Sequence, residues 1–324
     1  ADALGARSYD DASQLIAEAN VNLVHIATPP SSHYELVLEC AQAGKHVLCE
    51  KPLAMSTSEA QEMLAAMKDK DLIAPVNFVL RYNAVSDAVK AVLESGALGK
   101  VLSANLTNCA SDSRLGVEHW FWDKSVGGGI FIEHGVHFFD LYRYWLGEGE
   151  MVSATTAQRE KTGQEDRVTC LVRHAEGALA SHYHSFDQPA MLDRTSHRLV
   201  CELGDIRVEG WIPLVMEVDA VVDEAGAQAL TAACPKGRME VVETYDGELA
   251  KLPSRGTARN VSQRVHVRYC PNPDKQGAYS QSVHDLMADQ LAYLQDRSHQ
   301  RVITEDNGYA AVALAEAAVR KAME

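Results

Sequence analysis

Basic residues are in short supply in this chain: 30 lysines and arginines face 45 aspartates and glutamates, a net charge of −15 at pH 7. A surface of that sign repels a phosphate backbone, which excludes nucleic acid as the expected partner. Cysteine is scarce too. Its seven copies (Cys40, Cys49, Cys109, Cys170, Cys201, Cys234 and Cys270) are odd in number and never fall at the short spacings of zinc sites or redox motifs. Reduced thiols in a cytoplasmic protein are therefore expected. No apolar stretch approaches the length that spans a bilayer, and the first residues carry neither a basic start nor an apolar core with a cleavage site, so no membrane contact is expected. Internal repeats and low-complexity tracts are also missing.

What is present suits a large folded core. Of the 324 residues 46% are hydrophobic, enough for one big domain or two moderate ones. Residues 10–19 follow a helical pattern, and 21–27 run almost continuously apolar with β-branched content, as a strand buried on both faces does. Thr28-Pro29-Pro30 ends that strand. A helix over 33–43 stops at Gly44, in the position that favours a left-handed cap, and 45–49 forms a second buried strand. Ser56 and Glu59 have the spacing of a capping box that opens a helix to about Lys68, and a third strand spans 73–80. This alternation predicts a parallel sheet whose ligand crevice lies beyond the carboxyl ends of its strands. Those ends carry Thr28-Pro29-Pro30, Glu50-Lys51-Pro52 and Asn77.

After a helix ending near Gly96 the texture changes. Strands at 101–108, 152–158, 168–174, 178–186 and 197–202, with one strong helix at 130–146, predict an α+β domain with a large, mostly antiparallel open sheet. Helices over 279–294 and 309–322 close the chain and are free to pack back on the first domain. The boundary is placed near 81–85, dividing the chain into residues 1–83 and 84–324.

Several pieces in order carry a resemblance: Thr28-Pro29-Pro30, Ala43-Gly44-Lys45-His46-Val47, Glu50-Lys51-Pro52-Leu53, and Gly127-Gly128-Gly129 followed by Glu133, His137 and Asp140. Leu98-Gly99-Lys100-Val101 and Val302-Ile303-Thr304-Glu305-Asp306 extend it over nearly the whole chain. Together they resemble the glucose-fructose oxidoreductase and inositol dehydrogenase family, Gfo/Idh/MocA. The resemblance implies an α/β Rossmann-like domain that binds NAD or NADP, joined to an open-sheet domain that supplies the pocket for a sugar or polyol. It also implies a homo-oligomer formed through the open sheet, and a cis peptide before Pro52. One departure stands out. A member of that family should begin with a strand running into a G-x-G-x-x-G turn that holds the pyrophosphate. Gly5 is solitary, and residues 1–5 look like the end of a helix. The strand at 21–27 would then show an unpaired apolar edge, which natural proteins avoid, so the first domain is expected to be N-terminally incomplete.

Taking hydride from a secondary alcohol needs a base for the hydroxyl proton. Lys51, at a strand end in the crevice, matches the family's catalytic lysine; outside that motif it would be an ordinary solvated turn residue. Glu133 and His137 lie four apart on one helix, so both are expected to project from one face and to bind and share protons with the reacting hydroxyls. His134 falls partly off that face as a further substrate contact. A metal reading of Glu133, His134 and His137 is set aside, since no fourth ligand stands out. Asp140 reads as a buried carboxylate bonding backbone.

Cofactor contacts are expected from Thr28, Pro29, Pro30, His33, Glu50, Lys51, Asn77 and Arg81, although Arg81 reads equally as a domain-boundary salt bridge. Trp120 and Trp122 could wall the sugar or anchor the core. His182 and His184 alternate on one strand and face core or interface rather than pocket. The expected activity is hydride transfer between nicotinamide and a sugar, sugar-derivative or cyclitol hydroxyl. Two alternatives stay open: an NAD-dependent glycosidase on the same scaffold, and a truncated cofactor-free binding or regulatory protein.

Overall fold

A computed structural model describes residues 5–254 and 257–324, so all but Gly5 of the expected helix end at 1–5 lies outside them. The first unit opens with α1 (Ala12–Ile16), capped by the Asp11 carboxylate on the Ser13 amide. α1 is shorter than the expected 10–19. Lys45 takes the carbonyls of Glu18 and Val21 at 2.7 and 2.8 Å, fixing that segment as a turn. β1 (Leu23–Ile26) and β2 (His46–Cys49) pair in parallel, with α2 (His33–Gln42) between them and α3 (Thr57–Lys68) after. Among the described residues β1 pairs along one edge alone. Gly44, at φ +69°, turns the chain out of α2 where a Cβ would strain the backbone. At α3 the Ser56 hydroxyl accepts from the Glu59 amide as expected, but the Glu59 carboxylate reaches one residue further back, to the Met55 amide at 3.0 Å.

The third expected strand is reduced to a single bridge between Cys49 and Val76, followed by a 3-10 turn at Val79–Tyr82. Pro75 explains this. The amides of Val47 and Cys49 donate to Ile73 and Pro75, and Asn77 donates to Cys49, but Pro75 has no N–H to complete the ladder between them. α4 (Ala84–Glu94) then leads into the second unit.

That unit holds β3 (Val101–Ser111), the short α5 (Lys124–Gly127), a π-helical turn at Phe131–Gly135 running into α6 (Val136–Leu146), β4 (Gly149–Gln158), β5 (Glu165–His174), β6 (Leu179–Gln188) and β7 (Arg194–Cys201). It continues through β8 (Gly204–Glu209), β9 (Val215–Val222), α7 (Glu224–Ala233), β10 (Arg238–Thr244), a β11–β12 hairpin (Lys251–Ser254, Thr257–Asn260), β13 (Gln263–Tyr269), α8 (Lys275–Gln295) and α9 (Glu305–Met323). Nine strands form one sheet in the order β10-β13-β9-β8-β7-β3-β6-β5-β4, antiparallel except for the β3–β6 pair. Burial alternates along β7 and β9 as the pleat requires, and the buried row meets α6 through Phe138, Tyr142 and Trp145. α9 returns to the first unit: Thr57 bonds Glu316, Gln61 bonds Tyr309, and the Ala74 amide bonds Glu305. Gly308 allows this approach, since a Cβ there would lie 2.6 Å from Val76.

Candidate active site

The parallel pairing of β1 and β2 brings two strand-end turns side by side. His33, fully buried at the start of α2, ties them together: Nδ1 lies 2.7 Å from the Pro52 carbonyl and Nε2 2.9 Å from the Thr28 carbonyl. This corrects its expected role. Both ring nitrogens are committed to backbone, so His33 shapes the turns instead of meeting a cofactor. Thr28 and Pro29 are exposed at the rim and Pro30 is buried; the Thr28 hydroxyl is taken up by Ser32 at 2.6 Å. The Lys51–Pro52 peptide is cis.

From this turn Lys51 reaches the second unit. Its Nζ donates to the Glu133 carbonyl at 2.9 Å and to the Glu133 carboxylate. An ammonium has three donors, so one remains for a ligand. The carboxylate arrives on the π-turn, a feature that concentrates at functional sites. The regular helix expected over 130–146 would have put Glu133 and His137 on one face with His134 beside it. All three line one cavity of about 330 Å³ with Glu50, Lys51 and Asn77. His134 Nε2 lies 2.9 Å from Asn108 Oδ1, and Asn108 donates to Thr195 at 2.7 Å.

Electrostatics divide these groups. Burial pushes the Glu50 carboxyl up, but bonds from His25 and Asn77 outweigh it and hold it below the ordinary carboxylate range. Asn77 donates to Glu50 at 2.6 Å, while its Oδ1 is buried with no partner among the described residues. Burial, then the Lys51 charge, pulls His134 down to about 3 and His137 well below the usual imidazole value. Both rings are neutral at pH 7. The site therefore presents a cationic donor, a paired carboxylate and neutral imidazoles within one space.

Two expected contacts move elsewhere. Arg81 is sealed into a bidentate pair with Asp140, Nε to Oδ2 at 2.7 Å and Nη2 to Oδ1 at 2.8 Å, and does not line the cavity. Its boundary salt-bridge reading holds, and Asp140 bonds this side chain instead of backbone. Trp120 packs over Gly127 and beside His119, and Trp122 donates to the Gly116 carbonyl, so neither walls the cavity. Trp211 and Tyr279 do so instead, with Phe121 and Phe186. Trp211 sits edge-on to His137, centroids 5.5 Å apart. Its aromatic ring in the turn Gly210-Trp211-Ile212-Pro213, between β8 and β9, was the available signal.

Two family models match: the oxidoreductase family with NAD-binding Rossmann fold over residues 1–78, and the Gfo/Idh/MocA C-terminal domain over 87–207. The chain belongs to the Gfo/Idh/MocA family of oxidoreductases. It is 34% identical over 151 residues to levoglucosan dehydrogenase of Pseudarthrobacter phenanthrenivorans, covering 45% of this chain and 38% of that protein. It is 32% identical over 179 residues to myo-inositol 2-dehydrogenase of Thermotoga maritima, covering 53% and 52%. The matches thus span about half the length of these relatives or less. A solved levoglucosan dehydrogenase in complex with NADH and levoglucosan shares the fold with a TM-score of 0.73 at 21% identity, over 98% of this chain and 82% of that one.

Proposed function

We propose that the protein is an NAD(P)-dependent dehydrogenase acting on a secondary hydroxyl of a sugar, sugar derivative or cyclitol. The observation that carries this reading is the meeting of Lys51, Glu133, His134 and His137 in one cavity at the end of β2. Asn77 and Glu50 would hold the nicotinamide end of the cofactor: the orphaned Asn77 Oδ1 would accept a carboxamide N–H, and the Glu50 carboxylate beside it orients Asn77. A nicotinamide bound there supplies the hydride acceptor.

The remaining work falls to the chain's own residues. In the reducing direction the free Lys51 donor faces the forming alkoxide and gives it a proton; in the oxidising direction the neutral amine takes the hydroxyl proton back. Glu133 holds the Lys51 Nζ in place and accepts from a neighbouring hydroxyl. His137, neutral, accepts from the reacting hydroxyl and orients its lone pair. The aromatic wall of Trp211 and Tyr279 covers the C–H face of a sugar ring.

The test is titration of the purified chain with NADH and NADPH, followed by turnover assays over a panel of neutral sugars and cyclitols. Lys51→Met should keep cofactor binding and lower turnover by at least the roughly 10²-fold that acid-base groups supply. Near-wild-type turnover in that variant, or no binding of either dinucleotide, overturns the reading.

A further inference from the structure

Asparagine is a poor strand former, yet one sits on the buried face of an inner strand. Asn108 of β3 lies between Thr195 of β7 and His184 of β6, in one row across the sheet. It is 2% exposed, as is Thr195, and His184 is fully buried. A primary amide held there costs free energy unless its polar groups are bonded. Both ends of this one are used: Nδ2 donates to the Thr195 hydroxyl at 2.7 Å, and Oδ1 lies 2.9 Å from His134 Nε2. An amide oxygen only accepts, so the hydrogen of the second bond belongs to His134. The proposed chemistry uses neither Asn108 nor Thr195.

A neutral imidazole carries one hydrogen, and burial keeps His134 neutral. With that hydrogen on Nε2, Nδ1 holds a bare lone pair. Phe186, Phe138 and His184 enclose the ring at centroid distances of 4.9, 5.4 and 5.6 Å, and His184 has no hydrogen-bond partner on either nitrogen among the described residues. Asn108 is thus the polar contact that the interior gives this ring. His134 Nδ1 is not sealed off as the ring nitrogens of His182, His184 and His197 are. It opens on the cavity that His134 lines together with Lys51. The Lys51 charge already lowers the proton affinity of His134. A lone pair turned toward that ammonium is therefore favoured over the N–H that a reversed Asn108 amide would place there.

We propose that Asn108 is a positioning residue for substrate specificity: bonded to Thr195 and His134, it fixes the hydrogen on His134 Nε2 and so makes Nδ1 an acceptor for a substrate hydroxyl other than the one oxidised. The inference rests on the dehydrogenase reading for its use and narrows the substrate class. The cavity offers a spare donor on Lys51 against acceptors on Glu133 and His134. The matching ligand is a polyol with free hydroxyls at three places: the reacting carbon, the one facing Glu133 and the one facing Nδ1. A deoxy carbon at the third place leaves Nδ1 unpaired, and an ether or carbonyl oxygen there meets it lone pair to lone pair. A site built to receive a hydroxyl discriminates strongly against the analogue that lacks it.

The competing account is that Asn108 only ties β3 to β7 and to the turn that bears His134. Nuclear magnetic resonance of the full chain with 15N-labelled histidine separates the two and needs neither cofactor nor substrate. Ring 15N shifts and N–H couplings, with the His134 signals identified by their loss in His134→Gln, should show hydrogen on Nε2 alone at pH 7. Hydrogen on Nδ1, or an exchanging mixture, overturns the proposal. Asn108→Leu, or Asn108→Ala should that variant fail to fold, should turn the single form into a mixture; an unchanged Nε2–H form reduces Asn108 to a structural tie. In turnover, myo-inositol, D-glucose and D-xylose are assayed with NAD and NADP, followed by the monodeoxy analogues of whichever reacts. One analogue, lacking the hydroxyl that faces Nδ1, should lose at least tenfold in kcat/KM with the unsubstituted protein. The Asn108 variant should lose at least tenfold on the parent polyol and less than about twofold on that analogue. Equal losses on the parent and every analogue overturn the specificity role. Failure of all three polyols to react counts against the dehydrogenase reading separately, and the ring-hydrogen measurement then decides for or against Asn108 by itself.

Discussion

Of the ion pairs that tie the first unit to the second, two involve residues at or beside the cavity and differ in one respect. Lys51–Glu133 borders the cavity, with side chains 17% and 11% exposed, and keeps a donor free; Arg81–Asp140 is closed, at 8% and 1%, with its guanidinium forked on the carboxylate and lying 5.0 Å from the Tyr144 ring. Each joins a basic side chain to a carboxylate. What separates a reactive pair from a structural one is an unspent donor with space beside it. The interior behind the open pair continues this contrast, because it holds neutral imidazoles that could be charged only at high cost.

The largest effect should come from that closed interior. His134, His137, His182, His184 and His197 are all held below the ordinary imidazole value, chiefly by burial. In the unfolded chain each binds a proton below about pH 6.5. Stability is therefore complete above that pH and is lost as pH falls toward the folded values, by up to roughly 1.4 kcal/mol per unit for each ring. Five rings outrun the roughly 5–15 kcal/mol of a typical domain within about two units, so unfolding is expected near pH 5. Circular dichroism against pH checks this; native ellipticity at pH 4 would break it. Next in size, Arg81→Met should cost about 3–5 kcal/mol in urea denaturation, since the buried Asp140 charge loses its partner. A cost under about 1 kcal/mol would show that Asp140 finds water, and the contrast between the pairs would fail.

The sequence marked Lys51 and Glu133 as site residues, though not their pairing, and left Arg81 between two readings. Lys51 sits at a strand end beside a proline, where local pattern and crevice geometry coincide. Both partners lie far away, 82 positions for Lys51 and 59 for Arg81, and are decided by packing that no local pattern encodes; Lys51 and Glu133 were marked only because each falls in a motif of the family resemblance. The alternation of strands and helices predicted the β1–β2 pair and the mostly antiparallel sheet, but β8, β9, β10 and β13 were not singled out, and with them went Trp211. Pro75 was visible and was outweighed by the apolar run around it. The π-turn could not be read, because Phe131-Ile132-Glu133-His134-Gly135 has the composition of an ordinary helix. His182 and His184 were placed on one buried face by their spacing alone, and their lack of partners became visible only with the sheet in register.

The smallest effect is the sharpest test of the contrast. Lys51→Met, the substitution expected to cost most of the turnover, should cost only about 1 kcal/mol of stability, in the range of an ordinary hydrogen bond or an exposed ion pair. Glu133 loses its cation, but its carboxylate faces a cavity that admits water, so the charge is resolvated instead of stranded. The Glu133 carbonyl loses a donor at the same edge and is compensated in the same way. Urea denaturation of the Lys51→Met and Arg81→Met proteins side by side measures the difference directly. Equal losses would mean that the cavity does not hydrate Glu133, and Lys51 would then be a structural cation whose reach toward a substrate is an accident of packing. A difference of about 2 kcal/mol or more in the expected direction would fix the open pair as the one whose bonds can be exchanged for those of a ligand.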